Sequence, residues 1–464
     1  MSADRDLLGS VLAALPGPDE HMAWIEEVVS FGVRRPGSRE NARTVEWCAA
    51  RLEALGYDVA LQPVPALTSH PGPARVEAWS VDDPSRHLTL HGMTMPFSTE
   101  APASTPPVER RFRLAGRAED TSASSNGAVL EHVPLTRLPV SLIDGAARGR
   151  HDPTGEFADH VHVLPFGTAL GKEIDAVVAS GAGAMIGVLD APWDSSDYFV
   201  PYDGAVRPVP ALWLDAGQGA ALDELLTDGP VDVELTPEVE HRQSVDLNVI
   251  ATAPAPGNDE WIVVGSHHDA PWASAVEDGS GIAQLLAQAT AWSAVPPEQR
   301  PASLAFLLTA AHMSEGAGTQ EFIRSWEHRD HIRFALHLEH IAVEAEPDGA
   351  GGLQPTDRPE VRWWFVSAPD PAHEAEVVDG VSRAIVADDL DRSLVLPPDL
   401  FGEFPPTDGG FFHLAGVPMV NLLAAPMYLF DPADTVEMIH RPSLVPVSRA
   451  AARLVAEAAG WGQG

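Results

Sequence analysis

The chain has 464 residues, of which 45% are hydrophobic and 21% charged, a composition typical of globular proteins and long enough for two or three domains. A formal net charge of −38 argues against a nucleic-acid partner and against an anionic membrane surface, because both require clusters of lysine and arginine. A single cysteine excludes an intrachain disulfide, and no apolar run reaches the roughly 18 residues that a transmembrane helix needs.

The first part of the chain predicts helix, turn, helix and strand over residues 20–62. Arg35-Pro36-Gly37-Ser38 is a turn between the two helices, and Gly56 is suited to end the second helix. Residues 63–240 differ because short apolar runs alternate there with proline and glycine, which indicates a β-rich module. We therefore predict that residues 1–62 belong to the main domain and that residues 63–240 form an inserted domain.

The remaining residues, 241–464, alternate strands with helices. Strands are predicted at 249–252, 261–265, 304–309, 334–338, 361–366 and 418–423, and helices at 282–292, 320–326, 371–386 and 443–459. Continuous apolar strands between helices indicate a mostly parallel, mixed sheet that is covered on both faces. The predicted fold class is therefore a three-layer α/β/α domain with an inserted β-rich domain.

Imidazoles and carboxylates follow the predicted strands of this last part. The groups are His267-His268-Asp269, His312, Glu339-His340, and Glu277-Asp278 at the start of a helix. In open α/β sheets ligands bind beyond the carboxyl ends of the strands, so we expect these groups to meet on one rim. Nitrogen and oxygen donors from separate elements are what a divalent metal ion requires. Each group also has an ordinary explanation, because acids favour helix N-termini and buried histidines commonly form structural hydrogen bonds.

The segment Val263–Ala283, VVGSHHDAPWASAVEDGSGIA, resembles the M28 family of zinc aminopeptidases and carboxypeptidases. In that family a strand precedes His-x-Asp, and Asp-Asn-x-Ser-Gly then opens a helix. The resemblance extends to Arg35-Pro36-Gly37-Ser38, to Gly416-Val417-Pro418 and to Pro432-Ala433-Asp434-Thr435. The stretch VPALWLDAGQGAALDELL in the inserted region resembles a protease-associated (PA) domain. Together these motifs imply a zinc-peptidase fold over nearly the whole chain.

The resemblance implies that one of the two metal positions of the family keeps its donors. The corresponding ligands are His267, Glu277 and Glu339, and Asp269 corresponds to the aspartate that orients the histidine ligand. A shift of one residue would make Asp278 the ligand instead of Glu277. One imidazole and two carboxylates leave an open coordination position, as in single-zinc hydrolases.

The same comparison implies that the second metal position has lost its donors. Its ligands correspond to Met313 and Phe430; phenylalanine has no donor, and a thioether is a poor zinc ligand. The general-base glutamate of the family corresponds to His312, whose unperturbed pKa near 6.5 suits a general base, although a fourth ligand is an alternative role. The Ser-Asp-His segment of the family corresponds to Thr407-Asp408-Gly409.

The sequence therefore predicts a cytoplasmic hydrolase of a peptide or amide bond that uses one divalent ion, zinc being usual for such ligands. His312 would handle protons, and Glu403 and Asp408 are candidates to bind the substrate. Two alternatives stay open: a catalytically inactive peptidase homologue that binds a peptide or protein partner, and a non-hydrolytic enzyme that transforms acyl or amide groups.

Overall fold

The structure is a computed structural model, which describes residues 2–99, 111–115, 127–166 and 171–461. The helices are α1 (Ser2–Ala14), α2 (Pro18–Val29), α3 (Arg39–Ala54), α4 (Val140–Asp144), α5 (Lys172–Ser180), α6 (Ala216–Thr227), α7 (Gly281–Ser293), α8 (Ala317–Ser325), α9 (Pro371–Ala387), α10 (Gly410–Leu414) and α11 (Leu444–Ala458). The strands are β1 (Asp58–Ser80), β2 (His87–Thr94), β3 (Arg111–Ala115), β4 (Gly127–Pro134), β5 (Arg137–Pro139), β6 (Gly149–His151), β7 (Val161–Val163), β8 (Ala184–Asp190), β9 (Ala211–Asp215), β10 (Val231–Ala253), β11 (Trp261–His267), β12 (Ser303–Thr309), β13 (Ile332–Leu338), β14 (Val343–Pro347), β15 (Leu353–Pro359), β16 (Arg362–Ser367), β17 (Ser393–Leu396) and β18 (Met419–Leu423). Within these ranges no helix combines the length and apolarity that crossing a membrane requires.

The main domain is built on a mixed sheet in the order β10-β12-β11-β13-β18-β16-β17. Its centre is parallel, because β11 pairs in parallel with both β12 and β13, and β13 pairs in parallel with β18. The β10–β12 and β16–β18 pairs are antiparallel. The predicted fold class, an α/β domain with a mostly parallel mixed sheet, is thus confirmed.

Both faces of the central strands are buried, which explains their continuous apolar sequences. Every residue of β11 and β12 is buried. Successive side chains of a strand point to opposite faces, so Ile262 and Val264 join one core cluster, while Trp261 and Val263 join another. On the first face lies α7, which packs against α1, α2 and α11. The sheet therefore forms the middle layer of the domain.

Two strands of 23 residues, β1 and β10, connect the main domain to the β-rich module. They pair with each other in antiparallel fashion from Asp58↔Thr252 to Ser80↔Val231. Beyond the main sheet, the strands follow the order β1-β2-β9-β8-β4-β3-β10. Because β1 also pairs directly with β10, this part of the sheet is closed. Such closure removes free strand edges. Strands β1 and β10 continue across both predicted boundaries, at residues 63 and 240. An inserted domain with these boundaries, and its identity as a PA domain, stay predictions.

One segment of the module returns to the main domain and covers the carboxyl ends of its strands. Strand β6 pairs with β17 through Arg150↔Leu394. The ring of His162, on β7, lies with Nε2 3.1 Å from the carbonyl oxygen of Ala425, just after β18. The inserted region therefore contributes to the surface above the strand ends, where the polar side chains collect.

We predict that Gly92→Ala destabilises the β-rich module. A Cβ atom at Gly92 would lie 1.8 Å from the carbonyl oxygen of Trp213, so β2 and β9 would have to separate. We expect a loss of about 1–3 kcal/mol in the free energy of unfolding, measured by chemical denaturation with tryptophan fluorescence. The control Gly9→Ala, which has nothing within 4 Å, should leave stability unchanged or raise it by up to about 1 kcal/mol. Equal effects of the two substitutions would contradict the prediction.

Candidate functional site

The polar groups that follow the strands do meet on one rim. His267 ends β11, His312 follows β12, Glu339 follows β13, and Glu277 lies in the turn Ala275–Ser280 that precedes α7. The side chains are 0–5% exposed. Because the three strands are neighbours and parallel, their carboxyl ends open on the same edge of the sheet.

His267, Glu277 and His312 form the group whose spacing best fits a metal ion. Glu277 Oε1 lies 3.6 Å from His267 Nε2 and 3.5 Å from His312 Nε2. Two donors that each bind one tetrahedral ion at about 2.1 Å are roughly 3.4 Å apart. The two imidazole rings stack, with centroids 4.0 Å apart and an interplanar angle of 16°. Neither His267 Nε2 nor Glu277 Oε1 has a hydrogen-bond partner, although both are buried.

His267 is held in the tautomer that a ligand needs. Its Nδ1 lies 3.0 Å from the backbone carbonyl of Asp269, an acceptor, so Nδ1 donates and Nε2 carries the lone pair. Burial lowers the pKa of His267 well below its ordinary value, and neighbouring His312 lowers it further. The expected role of Asp269 is thus corrected in one detail. Its carbonyl orients His267, while its carboxylate accepts 2.9 Å hydrogen bonds from the backbone N–H groups of His312 and Met313.

Glu277 forms a buried ion pair with His340. Nε2 of His340 lies 2.5 Å from Glu277 Oε2, and its Nδ1 lies 2.6 Å from the carbonyl oxygen of Ala424. Both partners only accept hydrogen bonds, so both nitrogens carry protons and the ring is an imidazolium. Burial lowers the pKa of His340, but Glu277 outweighs it, and the pKa rises to about 10. Burial likewise raises the pKa of Glu277, but His340 and His267 bring it down to about 2.

Asp278, the alternative ligand, is engaged in hydrogen bonds through both of its carboxylate oxygens. Its carboxylate accepts hydrogen bonds from Ser266 Oγ and from the backbone N–H of Gly281, at the start of α7. Asp278 Oδ2 is 3.8 Å from His267 Nε2, and Asp278, His267 and His340 have donor atoms near one another. Burial raises the pKa of Asp278 well above its usual range. Both carboxylate oxygens of Asp278 accept hydrogen bonds, whereas Glu277 Oε1 has no hydrogen-bond partner, which favours Glu277 as the ligand.

Glu339 belongs to a second group of donors, with His337 and Asp408. His337 Nε2 lies 2.7 Å from Glu339 Oε1 and 2.9 Å from Asp408 Oδ1, although neither contact has hydrogen-bond geometry. Burial lowers the pKa of His337, but Asp408 and Glu339 together raise it to about 10. The other carboxylate oxygen of Asp408 accepts hydrogen bonds from Thr309 and Thr319, at 2.7 and 2.8 Å.

The two groups meet at His312. Its Nδ1 lies 3.7 Å from Asp408 Oδ1, on the side of the ring opposite Glu277. Burial lowers the pKa of His312, but Asp408, Glu277 and Glu339 outweigh it, so that the pKa is raised. The structure therefore groups His312 with His267 and Glu277, and it puts Glu339 in the neighbouring group.

His337 was missed in the sequence analysis. It lies on β13 two residues before Glu339, and residues i and i+2 of a strand point to the same face. That alternation was the signal available in the sequence. His268, a nearby histidine, has a different position: its ring nitrogens contact Asn41 Oδ1 and the carbonyl oxygen of Leu247. It therefore supports the N-terminal segment rather than the donor groups.

Two buried side chains hold the turn that carries Glu277. The Asp434 carboxylate accepts hydrogen bonds from the backbone N–H groups of Ala275, Val276 and Glu277, at 3.1, 2.7 and 2.9 Å. Burial raises the pKa of Asp434 to about 7 in spite of these donors. Arg34, which is 0% exposed, donates to the carbonyl groups of residues 268, 273, 274 and 277. Asp434 and Arg34 therefore hold the backbone that carries Glu277.

The donors open into a cavity of about 270 Å³. Glu277, His312, Glu339 and His340 line it, and the inserted region contributes residues 164–166, Lys172 and Tyr202. Most of the remaining wall is apolar, and it includes Trp363, Phe401, Leu423, Leu429 and Phe430.

Neither of the two residues predicted to bind the substrate lines this cavity. Glu403 is exposed, and Asp408 is buried behind His312. Phe430, which the family resemblance assigns to the last histidine ligand, packs on Tyr202 with ring centroids 5.1 Å apart. Met313 belongs to the hydrophobic core. The aromatic ring of Phe430 therefore shapes the wall of the cavity at a position where the family has a donor.

We predict that His340 is an imidazolium at pH 8 in the metal-free protein. Because its pKa is raised from 6.5 to about 10, the stabilisation that it adds is complete below pH 6.5 and is lost as the pH rises through 10. Nitrogen-15 NMR of labelled histidines should detect two protonated ring nitrogens for the signal that His340→Gln removes. A neutral His340 at pH 8 would contradict the prediction.

We also predict that Asp434→Ala weakens metal binding about 10-fold or more, because the turn carrying Glu277 loses three backbone hydrogen bonds. Competition with a chromophoric chelator measures the affinity. Asp370→Ala is a matched control, since Asp370 accepts from the backbone N–H groups of Ala372 and His373 at the start of α9. That control should lower stability without changing metal affinity; a similar loss in both variants would argue against a specific role of Asp434.

Comparison with known proteins identifies the fold. The model of Peptidase family M28 matches residues 248–455. The peptidase M28 precursor of Shewanella amazonensis superposes with a TM-score of 0.69 at 18% identity, covering 98% of this chain and 96% of its own. An aminopeptidase from Aneurinibacillus sp. strain AM-1 has a TM-score of 0.64 at 17% identity, covering 97% and 96%.

A zinc aminopeptidase from Bacillus subtilis, BSAP, is similar to the same degree, with a TM-score of 0.64, 15% identity and 96% of each chain covered. No curated protein matches the sequence. At these identities the solved structures establish the fold of the whole chain, and the family model covers the part that carries the donors. Residues 248–455 therefore match the model of Peptidase family M28, and the chain as a whole has the fold of solved M28 peptidases.

Proposed function

We propose that this protein is a metal-dependent hydrolase of a peptide or amide bond, with one divalent ion held by His267, Glu277 and His312. The observation that carries the proposal is the position of Glu277 Oε1, which lies 3.6 Å from His267 Nε2 and 3.5 Å from His312 Nε2. Two of the atoms, His267 Nε2 and Glu277 Oε1, are buried without a partner, which is costly unless a ligand is bound.

The charge of the site also supports a cation. Glu277, Glu339 and Asp408 raise the pKa of the nearby histidines although burial acts in the opposite direction. The same negative potential attracts a metal cation in place of protons. Two histidines and one glutamate are the ligand set of several single-zinc hydrolases, so we propose zinc. When bound, such an ion polarises a carbonyl group and makes water a better nucleophile at neutral pH.

In this proposal His312 and Glu339 exchange the roles that the family resemblance implied. Glu339 lines the cavity, and its carboxylate, whose Oε1 lies 2.7 Å from His337 Nε2, is the group that accepts a proton from a water molecule there. It then returns this proton to the leaving nitrogen. Asp408 Oδ1, which lies 2.9 Å from the same His337 Nε2, helps to keep His337 charged.

The residues around the donors limit what can bind. The cavity is small and its wall is mostly apolar, which suits a short substrate with an apolar side chain. We assign no substrate contact to Glu403 or Asp408. Asp408 instead belongs to the charged network behind His312.

The two assignments of His312 and Glu339 predict opposite results. Under this proposal His312→Ala and His267→Ala lose the metal, while Glu339→Gln keeps one equivalent and loses about 100- to 10,000-fold in kcat. Metal content by atomic spectroscopy and hydrolysis of aminoacyl and dipeptide substrates measure both effects. His373→Ala, on α9 away from the cavity, is the control and should match the wild type.

If Glu339→Gln loses the metal and His312→Ala retains it, the ligands are His267, Glu277 and Glu339, and His312 is the proton acceptor. Wild-type protein that binds no divalent ion and hydrolyses no substrate would contradict the hydrolase proposal. That result would leave two interpretations: a peptidase homologue that binds a peptide or protein partner, and a non-hydrolytic enzyme that transforms acyl or amide groups.

A further inference from the structure

The only lysine of the chain, Lys172, lines the candidate active-site cavity. It is the first residue of α5 in the inserted region, and its side chain is exposed. The other charged or titratable side chains that line the cavity are Tyr202, Glu277, Glu339, His312 and His340, so among the described residues it has no arginine. Within the described parts of the chain, no carboxylate forms an ion pair with Lys172.

The backbone at Lys172 is held in place by a buried guanidinium. Arg207 is 5% exposed and donates to Asp175, in the first turn of α5, at 2.9 Å. It also donates to Asp203, which follows Tyr202, at 2.5 Å. A Cβ atom at Gly171, which has φ +66°, would lie 2.5 Å from Arg207 Nη2. One side chain thus ties together the two segments that bring Lys172 and Tyr202 to the cavity.

A cation at this position has a clear electrostatic consequence. With a net charge of −38, the protein repels anions at long range, so an anionic substrate group needs a local positive partner. Apolar walls strengthen such a contact because they lower the local dielectric constant. Lys172 is the group of the cavity that can supply it, since the charged residues deeper in the site neutralise one another in pairs such as Glu277–His340.

Building on the proposed hydrolase function, we propose that Lys172 binds a carboxylate of the substrate. The volume of about 270 Å³ is at the small end for ligand sites, so the carboxylate must lie close to the scissile bond. The aromatic side chains of Phe166, Trp363 and Phe401 suit an apolar residue next to it. The substrate class is therefore short amides that end in a free carboxylate: dipeptides or N-acyl amino acids. Lys172 is then the residue that determines specificity for an acid over its amide.

The test measures binding, so that it does not depend on turnover. 2-Benzyl-4-oxopentanoic acid and its primary amide, analogues of N-acetyl-phenylalanine with a ketomethylene group in place of the scissile amide, are titrated by calorimetry into metal-loaded wild type, Lys172→Met, Lys172→Arg and Arg324→Met. Arg324→Met removes an exposed positive charge from α8, outside the cavity, and is the control for net charge. We expect the wild type and the control to bind the acid about 10- to 100-fold more tightly than the amide. Lys172→Met should remove this preference, and Lys172→Arg should retain part of it.

The proposal is overturned if wild type binds acid and amide equally, if it binds neither, or if Lys172→Met keeps the preference. Metal content separates this inference from the proposed function, because Lys172→Met should retain the metal that His267→Ala loses. If the acid preference depends on Lys172 but no amide is cleaved, the carboxylate site is correct and the hydrolase proposal is wrong. Rates for phenylalanyl-phenylalanine and N-acetyl-phenylalanine then distinguish dipeptides from N-acyl amino acids.

Discussion

The buried ion pair between Glu277 and His340 determines how the donors of this site are arranged. One oxygen of Glu277 is bound to the imidazolium, so the other is left to face His267 and His312. Both charges are completely removed from water, which is tolerable only because each has a partner. Asp434 and Arg34 then fix the backbone that carries Glu277, at its N–H and carbonyl groups respectively. The position of Glu277 relative to His267 and His312 is therefore set by residues that are not themselves donors, namely His340, Asp434 and Arg34.

A second constraint comes from the way the β-rich module is attached. Because β1 and β10 are long enough to belong to both parts of the chain, the module is joined through paired strands and not through a flexible linker. The segment between β5 and β7 and the residues after it can therefore form part of the cavity wall. Lys172, Tyr202 and residues 164–166 reach the site in this manner. The proposed selection of the substrate by the module and the proposed chemistry of the main domain both depend on this arrangement.

The roles proposed for His312, a metal ligand, and for Glu339, a proton acceptor, are the reverse of those that the family resemblance implies, and this reversal has a physical origin. His312 follows β12, where the Asp269 carboxylate holds its backbone N–H, and its ring stacks on His267. Its donor then points at the free oxygen of Glu277. Glu339 follows β13, where His337 on the same face of the strand attracts its carboxylate. A charged neighbour two residues away thus redirects a side chain that the family comparison alone assigns to the metal.

The sequence by itself determined the α/β class, the sheet of parallel central strands and the meeting of polar groups at the strand ends. A strand with an uninterrupted apolar sequence is buried on both faces of its sheet, and the carboxyl ends of neighbouring parallel strands lie at one edge of the sheet. The sequence also predicted a β-rich insertion, but it did not predict that β1 and β10 run across the boundaries of that segment. Only the tertiary structure decided which donors point at one another, that Asp408 lies behind His312, and that Lys172 reaches the cavity from the inserted region. Those facts depend on side-chain directions and on contacts between residues far apart in the chain, for example the 63 positions that separate Glu277 from His340, and local sequence patterns do not encode them.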